Sequence, residues 1–368
     1  MRDETKEALQ NAKEAISEAG KQIKQEVQEI SAKVVAELRK KTDAGIMECK
    51  NALKECKGLS KAAKKADRIA AEGVIAMKIA DDFTKATLVE VNSETDFVAK
   101  NEDFQEIVAN ILDLAFKRSL NTTESLMQLS VNGESFEDYL KQKIAIIGEN
   151  IVIRRVATIT CKPNQLINGY LHHNKKVGAI TLLSVEKDEN VSKLNEFSKL
   201  LSMHIASMKP KFLSYKELDK DFVAKERVAI AAELEKENEE LARLKKPLHR
   251  IPEFVSRSEL SESVLKAKEE ELRATLKAEG KPEAIWDKII PGQLDRFILD
   301  NTILDQRLTL LAQLYALDDK KTITQVLNEK SKELNDNIQV VSFINFELGE
   351  GIEKKVDNFA EEVAAQMK

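Results

Sequence analysis

Four runs rich in β-branched residues limit the fold of this chain more than any other feature. They lie at residues 86–91, 150–160, 177–186 and 338–348. Apolar residues between them recur with the spacing of amphipathic helices at about 103–120, 135–148 and 189–207. Helices that alternate with such strands are typical of antiparallel sheets covered by helices. The sequence therefore predicts an α+β fold with a two-part core.

A long charged segment, residues 215–285, interrupts this pattern. It contains the stretches AAELEKENEELARLKK and LKAKEEELRATLKAEG, with Pro247 and Pro252 between them. Because proline interrupts helices, we expect the chain to reverse direction there. The prediction is an antiparallel coiled-coil arm in which two sets of apolar residues face each other. The first set is Leu234, Leu241 and Leu244, and the second is Val264, Leu265, Leu272 and Leu276.

The amino-terminal part predicts helices. Apolar residues recur every three or four positions over residues 3–30, which indicates one amphipathic helix. Two short helices follow, on either side of the turn TDAG. The predicted division of the chain is an extension helix (1–30), a truncated helical domain (31–58), a basic linker or helix (59–84), a core subdomain (85–160), a second core subdomain in two parts (161–214 and 286–350) around the insertion (215–285), and a carboxy-terminal helix (351–368).

The composition argues against several classes of protein. The 368 residues carry a formal net charge of -5, so the average surface repels nucleic acid. No apolar stretch approaches the twenty residues that a transmembrane helix needs. The acidic amino terminus is unlike a secretory or transit peptide. We therefore expect a cytoplasmic protein that contacts neither membranes nor, directly, nucleic acid.

The sequence contains no recognisable catalytic or cofactor motif. It lacks a phosphate-binding loop of the G-x-x-x-x-G-K-[ST] type and a dinucleotide fingerprint. Its three cysteines have no metal-type spacing. His172 and His173 are adjacent, so in an extended segment they would point to opposite faces and chelate a metal poorly. We expect neither enzyme activity nor a bound metal or cofactor.

One aromatic residue occupies an unusual place in the stretch VNSETDFVAKNEDF. Phe97 lies among charged residues, in the turn between a predicted strand and a predicted helix. A large aromatic residue in a turn most often folds back onto the core of its own domain. The alternative is that Phe97 is exposed for a partner. Asp96, beside it, can cap the following helix, contact a partner, or do both.

Two motifs, TDAGIMECKNAL (42–53) and ETDFVAKNEDF (94–104), strongly resemble bacterial-type translation elongation factor Ts. Further matches follow in the family's order, among them IGENIVIRRV, GYLHHNKKVGAI and FELGEGIEKKVDNFAEEVAAQ. The resemblance covers most of residues 31–368. It implies a guanine nucleotide exchange factor for the GTPase elongation factor Tu, which makes and breaks no covalent bond.

The resemblance also implies a role for the charged turn. In the family, the Thr-Asp-Phe-Val turn enters the nucleotide-binding domain of elongation factor Tu near its magnesium site. We therefore expect Thr95, Asp96, Phe97 and Val98 to contact the partner. Phe97 would be the intruding ring, and its burial in an opened partner would help to drive nucleotide release.

Further partner contacts are implied in the same way. They are Leu38, Arg39, Ile46, Met47 and Lys50 in the amino-terminal domain, and Ile147 and His172 in the core. The LGEGIEKK turn and the final helix, 349–368, resemble the family's tail that packs against the partner. The family's coiled coil can lie against the partner or mediate self-association, and the sequence leaves both open.

One region departs from the family pattern. The acidic helix that usually separates the CKNALKE and AAKKA segments is missing. We hypothesise that the helix at 3–30 replaces it in packing; a flexible leader is the alternative. The departure also keeps open a scaffold function through the arm, with weakened exchange activity. A direct RNA-binding role, based on KKADR and Arg154–Arg155, is third, and the acidic balance counts against it.

Overall fold

The computed structural model describes residues 68–131 and 133–352, and it places their strands in antiparallel sheets. Two sheets have three strands each, in the orders β1-β2-β5 and β10-β7-β6. Two further pairs, β3-β4 and β8-β9, have two strands each. The strands are β1 (Glu72–Ile79), β2 (Lys85–Ser93), β3 (Ser130–Val131), β4 (Glu134–Ser135), β5 (Ile151–Thr160), β6 (Gln165–Leu171), β7 (Val177–Ser184), β8 (Leu314–Tyr315), β9 (Asp318–Thr322) and β10 (Gln339–Glu347).

The α-helices of the described residues fall into a core group and an inserted group. In chain order they are α1 (Asp96–Ala99), α2 (Glu102–Arg118), α3 (Thr123–Met127), α4 (Phe136–Ile147), α5 (Asn195–Met208), α6 (Lys220–Arg243), α7 (Glu262–Ala278), α8 (Trp286–Asp300), α9 (Ile303–Leu308) and α10 (Ile323–Glu333). Short 3-10 helices cover Asp188–Asn190, Ser192–Leu194, Tyr215–Glu217, Glu283–Ile285 and Leu310–Ala312. The mixed fold with antiparallel sheets confirms the sequence prediction.

The two large sheets lie between two layers of helices. Because successive side chains of a strand point to opposite faces, each sheet contributes to two apolar clusters. On one side of the first sheet, Val89 packs with Phe104 of α2. Its other side, with Leu88, meets Ile180 of the second sheet. The far side of the second sheet packs on α5 and α10, for example through Leu183.

Strand β2 is the centre of the first sheet and is almost wholly buried. It hydrogen-bonds to β1 on one edge and to β5 on the other. The pairing with β5 is interrupted by a bulge between Glu90 and Val91. A strand buried on both faces has no solvated side for charged residues, so its carboxylate at Glu90 requires partners inside the protein.

Glu90 is fully buried, and two arginines and a backbone amide surround its carboxylate. Arg154 donates to Oε1 at 3.1 Å, Arg155 donates through Nε to Oε2, and the amide of Gly349 donates to Oε1 at 2.8 Å. Arg155 also donates to Glu350 at 3.0 Å. The network therefore joins the middle of the first sheet to the turn that follows β10.

A lysine also holds the turn that follows β10. Lys211 forms an ion pair with Glu350, and this hydrogen bond lowers the pKa of the Glu350 carboxyl. The Arg155 guanidinium also lies over the Phe346 ring, 4.3 Å from its centroid. The LGEG turn at 348–351 is thus fixed by groups from the first sheet and by Lys211, in the segment after α5.

The insertion is helical as predicted, but its apolar residues pair differently. Leu234 packs against Val255 from the loop after α6, whereas Leu276 packs against Trp286 of α8. Leu244, expected inside the seam, is exposed. Apolar periodicity identifies a buried face of a helix but does not identify its partner. Here α8 follows α7 after a short connection and covers its apolar face.

One predicted segment needs correction, and one strand was not predicted. Residues 72–79, placed in a linker or helix at 59–84, form β1 because β2 offers them an edge to pair with. Residues 165–171 form β6, which the sequence did not predict as a strand. Helix α8 packs on α7 across the predicted end of the insertion at 285, and that boundary stays a prediction. The predicted extension helix (1–30), truncated domain (31–58) and most of the carboxy-terminal helix (351–368) lie outside the described residues.

The Glu90 network makes a prediction about stability. Glu90→Gln removes the negative charge and one acceptor, so we expect the free energy of unfolding in urea to fall by about 3 kcal/mol. Glu347→Gln is the matched control, because Glu347 pairs with Lys209 in a half-exposed ion pair and should change stability by less than about 1 kcal/mol. Equal effects of the two substitutions would contradict the central role of Glu90.

Candidate partner-binding site

The charged turn is a short, capped helix at the end of β2. Thr95 has an extended backbone, and its hydroxyl accepts a hydrogen bond from the amide of Val98 at 3.4 Å, so Thr95 is the N-cap of α1. The hydroxyl donates to Glu149 at 2.7 Å, and the amide of Thr95 donates to the same carboxylate at 3.0 Å. Glu94 in turn accepts from the amide of Asn150 at 2.7 Å. The turn is therefore clamped to the segment between α4 and β5.

Phe97 points away from the core of its own domain. Its side chain is 80% exposed, while Val98 is half-buried against the apolar cluster under α2 and Ala99 is buried. In a single helical turn, residues that follow each other point in different directions, so anchoring Val98 and Ala99 leaves Phe97 outside. The structure thus excludes the reading in which Phe97 folds back onto its own core.

Asp96 lies in the first turn of α1 rather than at a cap position. Its carboxylate accepts a hydrogen bond from Lys100 at 2.8 Å, and this bond lowers the pKa of Asp96. The caps are Thr95 for α1 and Asn101 for α2. The structure therefore excludes the alternative in which Asp96 caps a helix. Its carboxylate remains half-exposed and ionised beside Phe97.

At the end of α4, the exposed apolar residue is the neighbour of the predicted one. Ile147 is half-buried and packs against the cluster under α2, whereas Ile146 is 70% exposed. The signal was present in the sequence: Leu140, Ile144 and Ile147 share one helical face, and Ile146 lies off that face. Sequence reasoning missed Ile146 because it followed the family motif, which begins at Ile147.

His172 lies in the turn between β6 and β7, beside His173. The two rings are 4.2 Å apart between centroids, so the expectation that they point to opposite faces is wrong. That expectation assumed an extended segment, but the amide of His172 donates to Val177 and the amide of Lys175 donates to His172, which closes a tight turn. In the part of the chain that the structure describes, no group of three or more potential ligands is arranged to hold a metal.

Gln105 joins this turn to the one that carries Phe97. Its amide nitrogen donates to the carbonyl of Ala99 at 2.6 Å, and its amide oxygen accepts from Lys175 at 2.7 Å. The backbone carbonyl of Lys175 also accepts from the amide of Ile75 in β1 at 2.7 Å. Segments 94–100, 146–150 and 172–176 are consequently held together at one end of the two sheets.

The chain is similar to known proteins over most of its length. A family model described as Elongation factor TS matches residues 94–248 and 249–350. The elongation factor Ts of Wolinella succinogenes is 58% identical over 352 residues, which cover 92% of this chain and 99% of the relative. Those of Helicobacter hepaticus and Helicobacter pylori are 55% and 52% identical over the same lengths.

The chain belongs to the elongation factor Ts family. The match to the family model begins at Glu94, in the turn that carries Phe97, and runs to Glu350, in the turn that binds Glu90. The predicted partner contacts in the amino-terminal domain, Leu38, Arg39, Ile46, Met47 and Lys50, lie outside the described residues, so they stay a prediction. None of the helices that the structure describes is long and apolar enough to cross a membrane.

The clamp on the turn can be tested without a partner. Glu149→Ala removes both acceptors of Thr95, so amide hydrogen exchange at residues 95–99 should become roughly tenfold faster. Glu106→Ala, a substitution at an exposed residue of α2, is the control and should leave those amides unchanged. If the two variants exchange alike, the turn is not held by Glu149.

Proposed function

We propose that this member of the elongation factor Ts family binds elongation factor Tu in the cytoplasm and promotes GDP release without covalent chemistry. The observation that carries the proposal is the exposed ring of Phe97 on a turn fixed by Thr95 and Glu149. A phenylalanine ring held in water gains about 2 kcal/mol when a partner buries it. Because the turn is already ordered, little of that gain is lost to ordering it.

The free energy of burying Phe97 supports exchange if the partner offers a cleft for the ring only in its opened form. A GTPase holds its nucleotide through Mg²⁺ and backbone donors around the phosphates, so a shift of those elements weakens both contacts together. A ligand that binds the opened state better moves the equilibrium toward it. The coupling is reciprocal: an incoming nucleotide lowers the affinity for the factor by the same ratio and releases it.

The surroundings of Phe97 fit an interface with an apolar centre and a polar rim. Ile146 adds a second exposed apolar side chain on the segment that clamps the turn, and Asp96 with Lys100 supplies charge beside the ring. Interfaces commonly have this arrangement. We propose that Ile146 contacts the partner together with Phe97, and that Thr95 and Val98 position the ring. His172, on the turn joined through Lys175 and Gln105, is proposed as the outer edge of the same surface.

The RNA-binding alternative loses one of its two supports. Arg154 and Arg155 both donate to the buried carboxylate of Glu90, so they are committed inside the protein. Cations that neutralise phosphates need to reach the surface. We therefore propose a protein partner rather than a nucleic acid for this chain.

The insertion is proposed as a second contact surface. Leu244, Leu248 and Ile251 are exposed in the loop that follows α6. Neighbouring Lys245 and Lys246 make this apolar loop basic. Exposed apolar residues of this kind suit contact with a partner or with a second copy of the chain. A scaffold function would depend on this loop and not on Phe97.

Release of a fluorescent GDP analogue from elongation factor Tu tests the exchange proposal. Phe97→Ala should slow factor-dependent release by roughly thirtyfold, the equivalent of about 2 kcal/mol, and Ile146→Ser should slow it by a smaller factor. Both variants should keep the unfolding midpoint of the unaltered chain, because neither side chain is buried. Val228→Ala on α6 is the matched control, because the Val228 side chain is as exposed as that of Ile146. This variant should accelerate GDP release from elongation factor Tu as much as the unaltered chain does.

The opposite pattern identifies the scaffold function. If the unaltered chain does not accelerate release, or if Phe97→Ala has no effect, the exchange mechanism proposed here is wrong. If Leu248→Ser in that case abolishes self-association in sedimentation, assembly through the insertion becomes the better account.

A further inference from the structure

Exposed apolar side chains are unevenly distributed over the described residues. Four of the thirteen large ones, Ile69, Phe97, Ile146 and Val152, lie within four residues of a single hydrogen-bonded ring at one end of the first sheet. Apolar side chains that are exposed singly need no explanation, whereas a cluster of them marks an interaction surface. Phe97 and Ile146 already belong to the proposed exchange surface, but Ile69 and Val152 have no assigned role.

Arg68, Glu94 and Asn150 form this ring. One carboxylate oxygen of Glu94 accepts from the Arg68 guanidinium at 3.3 Å, and the other accepts from the backbone amide of Asn150 at 2.7 Å. The side-chain amide of Asn150 donates to the carbonyl of Arg68 at 2.8 Å and closes the ring. Consecutive Cα atoms are about 3.8 Å apart, so the four exposed residues lie within about 15 Å of the ring. A standard interface covers a disc roughly 30 Å across on each partner, so one interface can include all four.

Ordered neighbours keep Ile69 and Val152 in contact with water. Val152 is 38% exposed, while Ile151 and Ile153, on either side of it in β5, are buried in the cluster under α2. Side chains alternate along a strand, so Val152 points away from that cluster. Ile69 is 46% exposed beside buried Ala70, in the segment that the ring anchors. The exposure of both side chains is therefore a property of the folded backbone.

The proposed exchange mechanism needs contacts of a second kind. Burial of Phe97 is available only when the partner is open, so it promotes release but adds little to the affinity for the closed, GDP-bound form. Stable interfaces involve about 20–30 residues on each side, so Phe97 and Ile146 are too few to hold a partner. A factor that binds the closed form first therefore requires apolar contacts near Phe97 that do not depend on opening.

We infer that Ile69 and Val152 form a second apolar contact with the GTPase of the proposed function, on which this inference rests. The contact is made in both the closed and the opened form of the GTPase, so it supplies affinity, whereas Phe97 supplies the opening. The Arg68–Glu94 ion pair lies within the same surface, and its charges compensate each other. We therefore expect the partner area opposite Ile69 and Val152 to be apolar and uncharged.

The division of roles is tested by the rate of GDP release at increasing concentrations of elongation factor Tu bound to GDP. The double variant Ile69→Ser with Val152→Thr should raise KM roughly tenfold and leave kcat unchanged, because it removes a contact made equally in both forms. Threonine keeps the β-branched shape that suits the strand at position 152. Phe97→Ala should instead lower kcat.

A matched control makes the same chemical changes away from the ring. Leu317→Ser, in the turn between β8 and β9, and Val341→Thr, on β10, alter side chains that are about as exposed as Ile69 and Val152. This second double variant should keep both KM and kcat. The unfolding midpoint of the first double variant should equal that of the unaltered chain, because neither of its side chains is buried.

Other results separate this inference from the proposed function. If Phe97→Ala lowers kcat but the first double variant keeps KM, the second contact is wrong and the exchange proposal stands. If the unaltered chain does not accelerate GDP release, both fail. A lower unfolding midpoint with unchanged KM would show that the chain itself covers Ile69 and Val152. Loss of self-association in sedimentation with unchanged KM would show that a second copy covers them, and either result would overturn the inference.

Discussion

The buried carboxylate of Glu90 sets the condition on which the core depends. It occupies the central strand of the first sheet, where both faces are covered, so its charge must be compensated inside the protein. Arg154 and Arg155 supply that compensation from the neighbouring strand, and Gly349 supplies a backbone donor from beyond the second sheet. One ionised group thereby fixes the pairing of β2 with β5 and the path of the chain after β10.

Much of this architecture could be predicted from local sequence. The four β-branched runs became β2, β5, β7 and β10, and the three core helices lie close to their expected positions. Strand β1 could not be predicted, because the Ala-rich segment before it favours a helix. Residues 72–79 form a strand because they can pair with the edge of β2. Which helices pack against each other in the insertion also could not be predicted from local sequence. A stripe of leucines specifies that a face is buried, while the covering helix is chosen by the whole fold.

The candidate site shows the same division between local and distant information. The Thr95 cap and the helical start after it follow from residue types within a few positions. The outward direction of Phe97 does not, because a lone aromatic residue in a turn is compatible with burial or exposure. Glu149 settles the direction from 54 residues away, by holding the turn from the opposite side. No local pattern around Phe97 indicates such a contact.

The double hydrogen bond of Gln105 has a mechanical consequence for the proposed exchange reaction. When the exposed ring of Phe97 pushes elements of a GTPase apart, the GTPase exerts an equal and opposite force on the ring. Gln105 hydrogen-bonds both to the turn that carries Phe97 and to Lys175, and the carbonyl of Lys175 accepts from β1. The force on the ring is therefore distributed over both sheets. A rigid support of this kind makes the partner, and not the factor, the body that deforms.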